Sequence, residues 1–305
     1  MATWLVTGGC GFIGSHLVEA LLANGDRVRV LDDLSSGKRE NIPADAELGV
    51  GDVADPAAVS DAMKGVAGCF HLAAVAAVQR CNEDWVASHR TNLTGTVTVL
   101  ERASRQVGAA IPVVYASSAA VYGDNPALPL KETAVAKPLS AYGVDKLACE
   151  LHAAIGWSIH GVPSLGLRFF NVYGPRQDPT SPYSGVISIF AARAAEHRAI
   201  EVYGDGNQTR DFIYVADVVK HLCAAMSQLR SGAGVLNVCT GRATSVLMLA
   251  SLISKLSGHE CPIQHRPARP GDIRASLGDP AGAIAMLGLS AETTLADGLA
   301  RTLRG

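Results

Sequence analysis

The chain has no C-x-x-C pair. Its seven cysteines, Cys10, Cys69, Cys81, Cys149, Cys223, Cys239 and Cys261, are scattered and odd in number. That pattern excludes a disulfide framework and a structural zinc site, and is that of reduced thiols in a cytoplasmic protein. No run of about twenty apolar residues is present, so no membrane-spanning helix is expected. The first residues carry neither a basic lead nor a long apolar core, so no signal peptide is expected there. Charge of one sign is not in large excess. The net charge of −2 gives no electrostatic footprint for nucleic acid or an anionic membrane. No repeat of solenoid period is present.

What the chain does have is a globular composition, 48% apolar and 18% charged. Its 305 residues allow one large or two smaller domains. A chain of that size buries roughly three quarters of its unfolded surface.

Thr3-Trp-Leu-Val-Thr7 reads as a short buried strand. It runs into Gly8-Gly-Cys-Gly-Phe12-Ile13-Gly14 and then a helix from Ser15. Gly9, Gly11 and Gly14 fit G-x-G-x-x-G, and Gly8, Gly11 and Gly14 fit a variant with two residues between each pair. Missing side chains allow a tight turn and let backbone approach a pyrophosphate, which then faces the helix N-terminus. The strand-turn-helix context makes this a dinucleotide signal. A second strand, Val28–Leu31, ends in Asp32-Asp33. A carboxylate there accepts bonds from ribose hydroxyls and repels a 2′-phosphate, which favours NAD over NADP. Asp32 directly ends the strand and is the better placed; Asp33 also reads as a solvated loop residue.

Glu47–Val50 reads as a third strand, followed by Asp52-Val53. That pair could hold an adenine, or Asp52 could cap a helix starting near Pro56. Gly68–Ala74 reads as a fourth strand, with small residues at Leu72-Ala73-Ala74 and a packed core histidine at His71. Asn92 lies in a helix-like stretch from Trp85 to Val107. Ile111–Ser117 reads as a fifth strand, and the hydroxyls of Ser117 and Ser118 fall at its carboxyl end. A loop from Asp124 to Leu139 with three prolines then leads to Ser140-Ala-Tyr142-Gly-Val-Asp-Lys146.

Tyr142 and Lys146 are four apart, so on a helix they share a face. A cation beside a phenol lowers the phenol's pKa and makes it a usable base. Alone the spacing is weak, since many helices carry it by chance. With the strands and glycine turn, Ser118, Tyr142 and Lys146 converge above a dinucleotide. The alternation of strand and helix predicts an α/β doubly wound parallel sheet of Rossmann type.

Taken together, the turn Thr7–Gly14, Asp32, Asp52-Val53, His71–Ala74, Ser118 with Val121-Tyr-Gly123, and Tyr142-x-x-x-Lys146 resemble the extended short-chain dehydrogenase/reductases. Within them the chain most resembles nucleotide-sugar 4-epimerases. The resemblance implies that Tyr142 takes the proton from a sugar 4-hydroxyl while hydride passes to NAD. It implies that Ser118 hydrogen-bonds that oxygen and that Lys146 binds the nicotinamide ribose. Related dehydratases and decarboxylases carry acids just after the catalytic hydroxyl; here Ala119 and Ala120 stand there, which argues for epimerisation.

Ser164–Phe170 reads as a sixth strand, leading into Asn171. Composition shifts in the loop Asp178–Gly185, taken as the start of the smaller part. The division expected is 1–170 for the dinucleotide and 171–305 mainly for substrate, with elements near 213–240 returning to the first. Val186–His197 reads as a helix, Ala199–Tyr203 as a strand, Gly204–Phe212 as a turn-rich segment, Tyr214–Leu229 as a helix, and 287–303 as a capped terminal helix. The resemblance places Asn171, Arg210 and Arg269 at a diphosphate or sugar, and Asp272 at a ribose. Judged alone, each Arg reads as a surface charge. The resemblance also places Gly185, Val186 and Ser276 around the sugar. A small residue at 276 admits an N-acetyl group that a bulky aromatic excludes. The expectation is therefore a UDP-N-acetylglucosamine/UDP-N-acetylgalactosamine 4-epimerase, or alternatively a UDP-glucose/UDP-galactose 4-epimerase. The family also implies a homodimer.

Overall fold

The computed structural model describes residues 1–178, 185–269 and 271–304. Chain order begins β1 (Thr3–Thr7), α1 (Phe12–Ala23), β2 (Arg27–Asp32), β3 (Glu47–Val50), α2 (Pro56–Ala62) and β4 (Gly68–His71). Two short helices, α3 (Val78–Glu83) and α4 (Trp85–His89), pass through a π-helical turn at Arg90–Thr94 into α5 (Gly95–Ser104). Then come β5 (Val113–Ser118), a 3₁₀ turn at Ala119–Tyr122, α6 (Ala141–His160), β6 (Ser164–Phe169) and β7 (Asn171–Tyr173). The rest is α7 (Val186–Ala195), β8 (Ile200–Tyr203), β9 (Thr209–Tyr214), α8 (Val215–Gln228), β10 (Ala233–Val238) and β11 (Ala243–Ser245). The chain finishes with α9 (Val246–Leu256), β12 (Ile263–Arg266), α10 (Ala281–Leu287) and α11 (Leu295–Thr302).

Seven strands form one parallel sheet in the order β10-β6-β5-β4-β1-β2-β3. The order reverses between β1 and β4, where a ligand crevice opens at the carboxyl ends of the strands. Side chains alternate across each strand. Leu5 and Leu31 therefore join the core under α2, α5 and α6. Val6 and Val30 join the core under α1 and α8. Both faces of the central strands are covered, which is why β1, β4, β5 and β6 are mostly buried and largely apolar.

The smaller sheets are β11-β9-β7 and β12-β8. They share a core with α7, α9 and α11 around Ile187, Phe190, Ile200, Phe212, Leu249 and Leu299. β10 lies beside β6 in the large sheet, and α8 packs on α1.

Several elements differ from the local pattern. The segment read as turn-rich becomes β9 from Thr209, because β7 and β11 pair with its two sides. The stretch Trp85–Val107 is broken by the π-helical turn and ends at Ser104. The 287–303 helix does not run through. Gly288, at φ +68°, closes α10, and α11 starts after Thr294, whose side chain accepts from the Asp297 amide. Of the loop Asp178–Gly185, residues 179–184 lie outside the described residues.

Candidate active site

The glycine turn is fixed by close approach. A Cβ on Gly8 would lie 2.7 Å from Ala73 Cα, and one on Gly14 would run into the Gly8 carbonyl. Gly8 also sits at φ +69°, a conformation that favours glycine. Gly11 is different. A Cβ there would meet only the Gly8 oxygen, at 3.3 Å. Its small size is not required by packing, and it faces a cleft of about 350 Å³. Gly8, Phe12, Ile13, Gly14, Asp32, Asp33, Val53, Leu72, Ala73 and Ala74 line the same cleft. Gly11 caps α1 with no side chain on the free amides, and no acid stands in the first turn. The helix end is thus open to a phosphate.

Asp32 is buried, and its carboxylate accepts from the amides of Cys10 and Leu34, both at 2.9 Å. Burial raises its pKa, and the two amides oppose the rise. Asp33 is exposed and accepts from Ser35. Asp52 does not cap α2. Asp55 does, accepting from Ala57. Asp52 pairs instead with Arg90 at 2.8 Å, while Val53 is buried beneath the cleft wall. The cradle without side chains, the open helix end and the carboxylate at the end of β2 fit a dinucleotide with free ribose hydroxyls.

The wall Leu72–Ala77 is held by a residue that the local pattern left without a role. Asn92, buried in the π-helical turn, accepts from the Val75 amide at 2.8 Å and donates to its carbonyl at 3.2 Å. Such turns often mark functional sites. Beneath it, His71 is a packed core group. Burial, then Lys146, pushes its pKa down to about 3. Its ring bonds Thr7 and Thr96, and Thr96 donates to Asn92 O, which fits the neutral ring protonated on Nε2.

α6 brings the reactive groups together. Ser140 caps it by accepting from Gly143 N at 3.1 Å, and Gly161 at φ +66° ends it. The missing side chain of Gly143 lets the helix start press on the turn after Ser118; a Cβ would lie 2.7 Å from Ala120 O. Lys146 is buried and donates to Ala116 O at 2.7 Å, with its ammonium 5.7 Å from the centre of the Tyr142 ring. Ser118, at the end of β5, accepts from Ala120 N at 3.1 Å. Lys146 thus reaches β5 two residues before Ser118, with Tyr142 one helical turn earlier on α6, and Ala116 and Phe169 line the cleft there.

One helical turn beyond Lys146, Glu150 ion-pairs with Arg168 of β6 inside the protein and accepts from Ser117 at 2.5 Å. Arg168 also donates to Tyr122 Oη at 2.8 Å. The spacing Tyr142, Lys146, Glu150 was the available signal for this residue, since it continues one helix face.

Asn171 opens β7 and is paired in register with Phe212 of β9. Arg210, two residues before Phe212, binds Asp272 at 2.5 Å. Burial lowers the Arg210 pKa, and Asp272 opposes that. The Ser276 amide donates to Thr209 O at 3.1 Å, beside Arg210. Arg269 stacks on Tyr203 at 3.9 Å. Gly185 and Val186 open α7 on a separate segment, where a Cβ on Gly185 would lie 2.9 Å from the Gln177 amide nitrogen. Among the described residues, no helix is long and apolar enough to cross a membrane.

The sheet and this site define an enzyme that uses a dinucleotide. A model of the NAD dependent epimerase/dehydratase family matches residues 4–239. The chain belongs to that family, and its cofactor is NAD. It is 35% identical over 305 residues to a UDP-glucose 4-epimerase of Mycolicibacterium smegmatis, covering 98% of this chain and 96% of that protein. The crystal structure of a Thermotoga maritima UDP-glucose 4-epimerase with UDP-glucose superposes with a TM-score of 0.94 at 35% identity, covering 99% of this chain and 97% of that one. A UDP-N-acetylglucosamine 4-epimerase from Methanobrevibacter ruminantium, in complex with UDP-N-acetylmuramic acid, also gives 0.94. It shares 33% identity, with 99% of this chain and 97% of that one covered.

Proposed function

We propose that the chain epimerises a UDP-sugar at C4. The observation that carries this reading is Lys146 held on Ala116 of β5, a residue that lines the NAD cleft, with its ammonium 5.7 Å from the centre of the Tyr142 ring and with Ser118 at the end of the same strand. Bound in the cleft, NAD would supply a reversible hydride acceptor for the sugar carbon. Tyr142 takes the proton of the 4-hydroxyl and returns it after the sugar has turned over. Ser118 bonds the same oxygen. Lys146, fixed by Ala116, binds the nicotinamide ribose and supplies the neighbouring positive charge. Arg210 and Arg269 hold the diphosphate, Asp272 the uridine ribose, and Asn171 the sugar or diphosphate.

Residues 1–170, with α8 and β10, serve the cofactor; 171–305 mainly serve the sugar nucleotide. Ala119 and Ala120 carry no acid, so the turn after Ser118 lacks a proton donor for loss of water. That disfavours the dehydratase and decarboxylase readings.

Ser276 and Gly185 are small residues, which by the resemblance would admit a 2-acetamido group. The preferred pair is therefore UDP-N-acetylglucosamine and UDP-N-acetylgalactosamine. The second reading, UDP-glucose and UDP-galactose, is supported by the same catalytic groups. The protein works in the cytoplasm as a homodimer. Val144, Leu151, Ile155 and Ile159 form an exposed apolar stripe on α6, with Trp85 and Val86 exposed on α4. Incubating the protein with UDP-N-acetylglucosamine or UDP-glucose, without added NAD, and following the anomeric protons by NMR tests the reading. Turnover of neither sugar, even with NAD added, rejects it.

A further inference from the structure

The segment after β7 makes a tight turn, Gly174-Pro175-Arg176. Arg176 sits at φ +66°, in the left-handed region that residues with a Cβ enter at a cost. If the turn alone mattered, glycine would suit the position better. The arginine side chain makes contacts that glycine could not. Its Nη1 donates to Asn41 O at 3.0 Å. Its Nη2 donates to Glu19 Oε2 at 2.5 Å and to His16 Nδ1 at 3.4 Å. His16 in turn donates from Nε2 to Pro175 O at 3.1 Å.

These partners belong to two segments that line the NAD cleft. Glu19 and His16 stand on α1, whose first residues, Phe12, Ile13 and Gly14, line it. Asn41 ends the segment whose earlier residues Asp33, Ser35, Ser36 and Gly37 line the same cleft. Asn41 also donates from Nδ2 to Cys10 O at 2.8 Å, and the Lys38 amide donates to the same oxygen at 3.0 Å. One guanidinium therefore ties the glycine-turn helix and the loop after β2 to the start of the substrate side.

We propose that Arg176 is a positioning residue for cofactor retention, a clip that holds the two lining segments together so that NAD stays bound between turnovers. It does not touch the cofactor; it acts through Asn41 and α1. Loosening these two lining segments would ease release of a dinucleotide, and separating them costs charge-assisted bonds. The proposal rests on the NAD cleft alone and does not depend on which sugar is used.

The test uses the NAD-loaded enzyme with Arg176→Ala and, separately, Glu19→Ala. Glu19 is half exposed on α1, so its removal leaves the fold intact. NAD remaining is measured after rapid gel filtration at a series of delays. Melting temperature is measured with and without NAD. The expected result for Arg176→Ala is NAD loss faster by about tenfold or more, the scale of one or two lost charge-assisted bonds. Glu19→Ala loses NAD faster by a smaller factor, and the double variant is no faster than Arg176→Ala, because both remove one device. Saturating NAD restores turnover with an unchanged sugar KM. Retention equal to wild type in Glu19→Ala overturns the proposal. So does an Arg176→Ala protein whose NAD-free melting temperature matches wild type and whose activity is not restored by NAD.

Discussion

Glu150 receives both prongs of the Arg168 guanidinium, Nε at 2.9 Å and Nη2 at 2.7 Å, with both side chains nearly sealed from solvent. The pair joins α6 to β6 directly under Ser117, one residue before Ser118. Removing one partner leaves a buried charge uncompensated, which costs about 3–5 kcal/mol. Glu150→Ala is expected to lower stability by that amount in urea unfolding. The joint replacement Glu150→Leu with Arg168→Met recovers most of it, because no charge is then stranded.

Tyr142→Phe removes the proton acceptor and keeps the ring. Turnover is expected to fall by about 10²–10⁴, the range for a positioned general base. NAD stays bound, since the cradle of Gly8, Gly11 and Gly14 is untouched. The check is single-turnover kinetics together with NAD content after denaturation.

His71 gives a pH dependence of stability with a definite sign. Its folded pKa, about 3, lies below the ordinary 6.5. Between those values the unfolded chain holds the proton and the folded one does not. Stability from this source is complete above about pH 6.5 and falls as pH drops, by up to about 1.4 kcal/mol per pH unit. Burial shifts His221 and His16 in the same direction. Unfolding free energies at pH 7, 6 and 5 are expected to decline in wild type and to decline less steeply in His71→Gln.

The α6 stripe predicts the assembly. Leu151→Glu with Ile155→Glu is expected to yield a monomer in analytical ultracentrifugation, while wild type sediments as a dimer. An unchanged dimer would place the interface elsewhere.

Legibility of the sequence followed its chemistry. β1 to β6 were readable to within a few residues because each is a short apolar run next to a glycine, a carboxylate or a hydroxyl with a job. β7, β11 and β12, three or four residues each, exist only through pairing with distant segments, and no local pattern announces them. β9 was masked by the turn signals of Gly204-Asp-Gly-Asn just before it. At the site, the spacing of Tyr142 and Lys146 was visible, but the part played by Gly143 was not, since it depends on Ala120 from a different element. Arg168 is a lone charge in β6, and its partner Glu150 is eighteen residues away in sequence, so no local pattern joins them.

On the proposed reading, sugar choice turns on Ser276. Ser276→Tyr would fill the space beside Arg210 and is expected to abolish use of the acetylated sugar while sparing UDP-glucose. Competition assays with both sugars, scored as kcat/KM, decide it.

The most direct measurement of the central claim is C4 inversion without added cofactor. Purified protein and UDP-N-acetylglucosamine, followed by proton NMR, are expected to reach a mixture with UDP-N-acetylgalactosamine, with no net NADH at 340 nm. UDP-glucose is expected to convert more slowly. If neither sugar inverts with NAD present, or NADH accumulates in proportion to sugar consumed, the protein is not a 4-epimerase of these sugars.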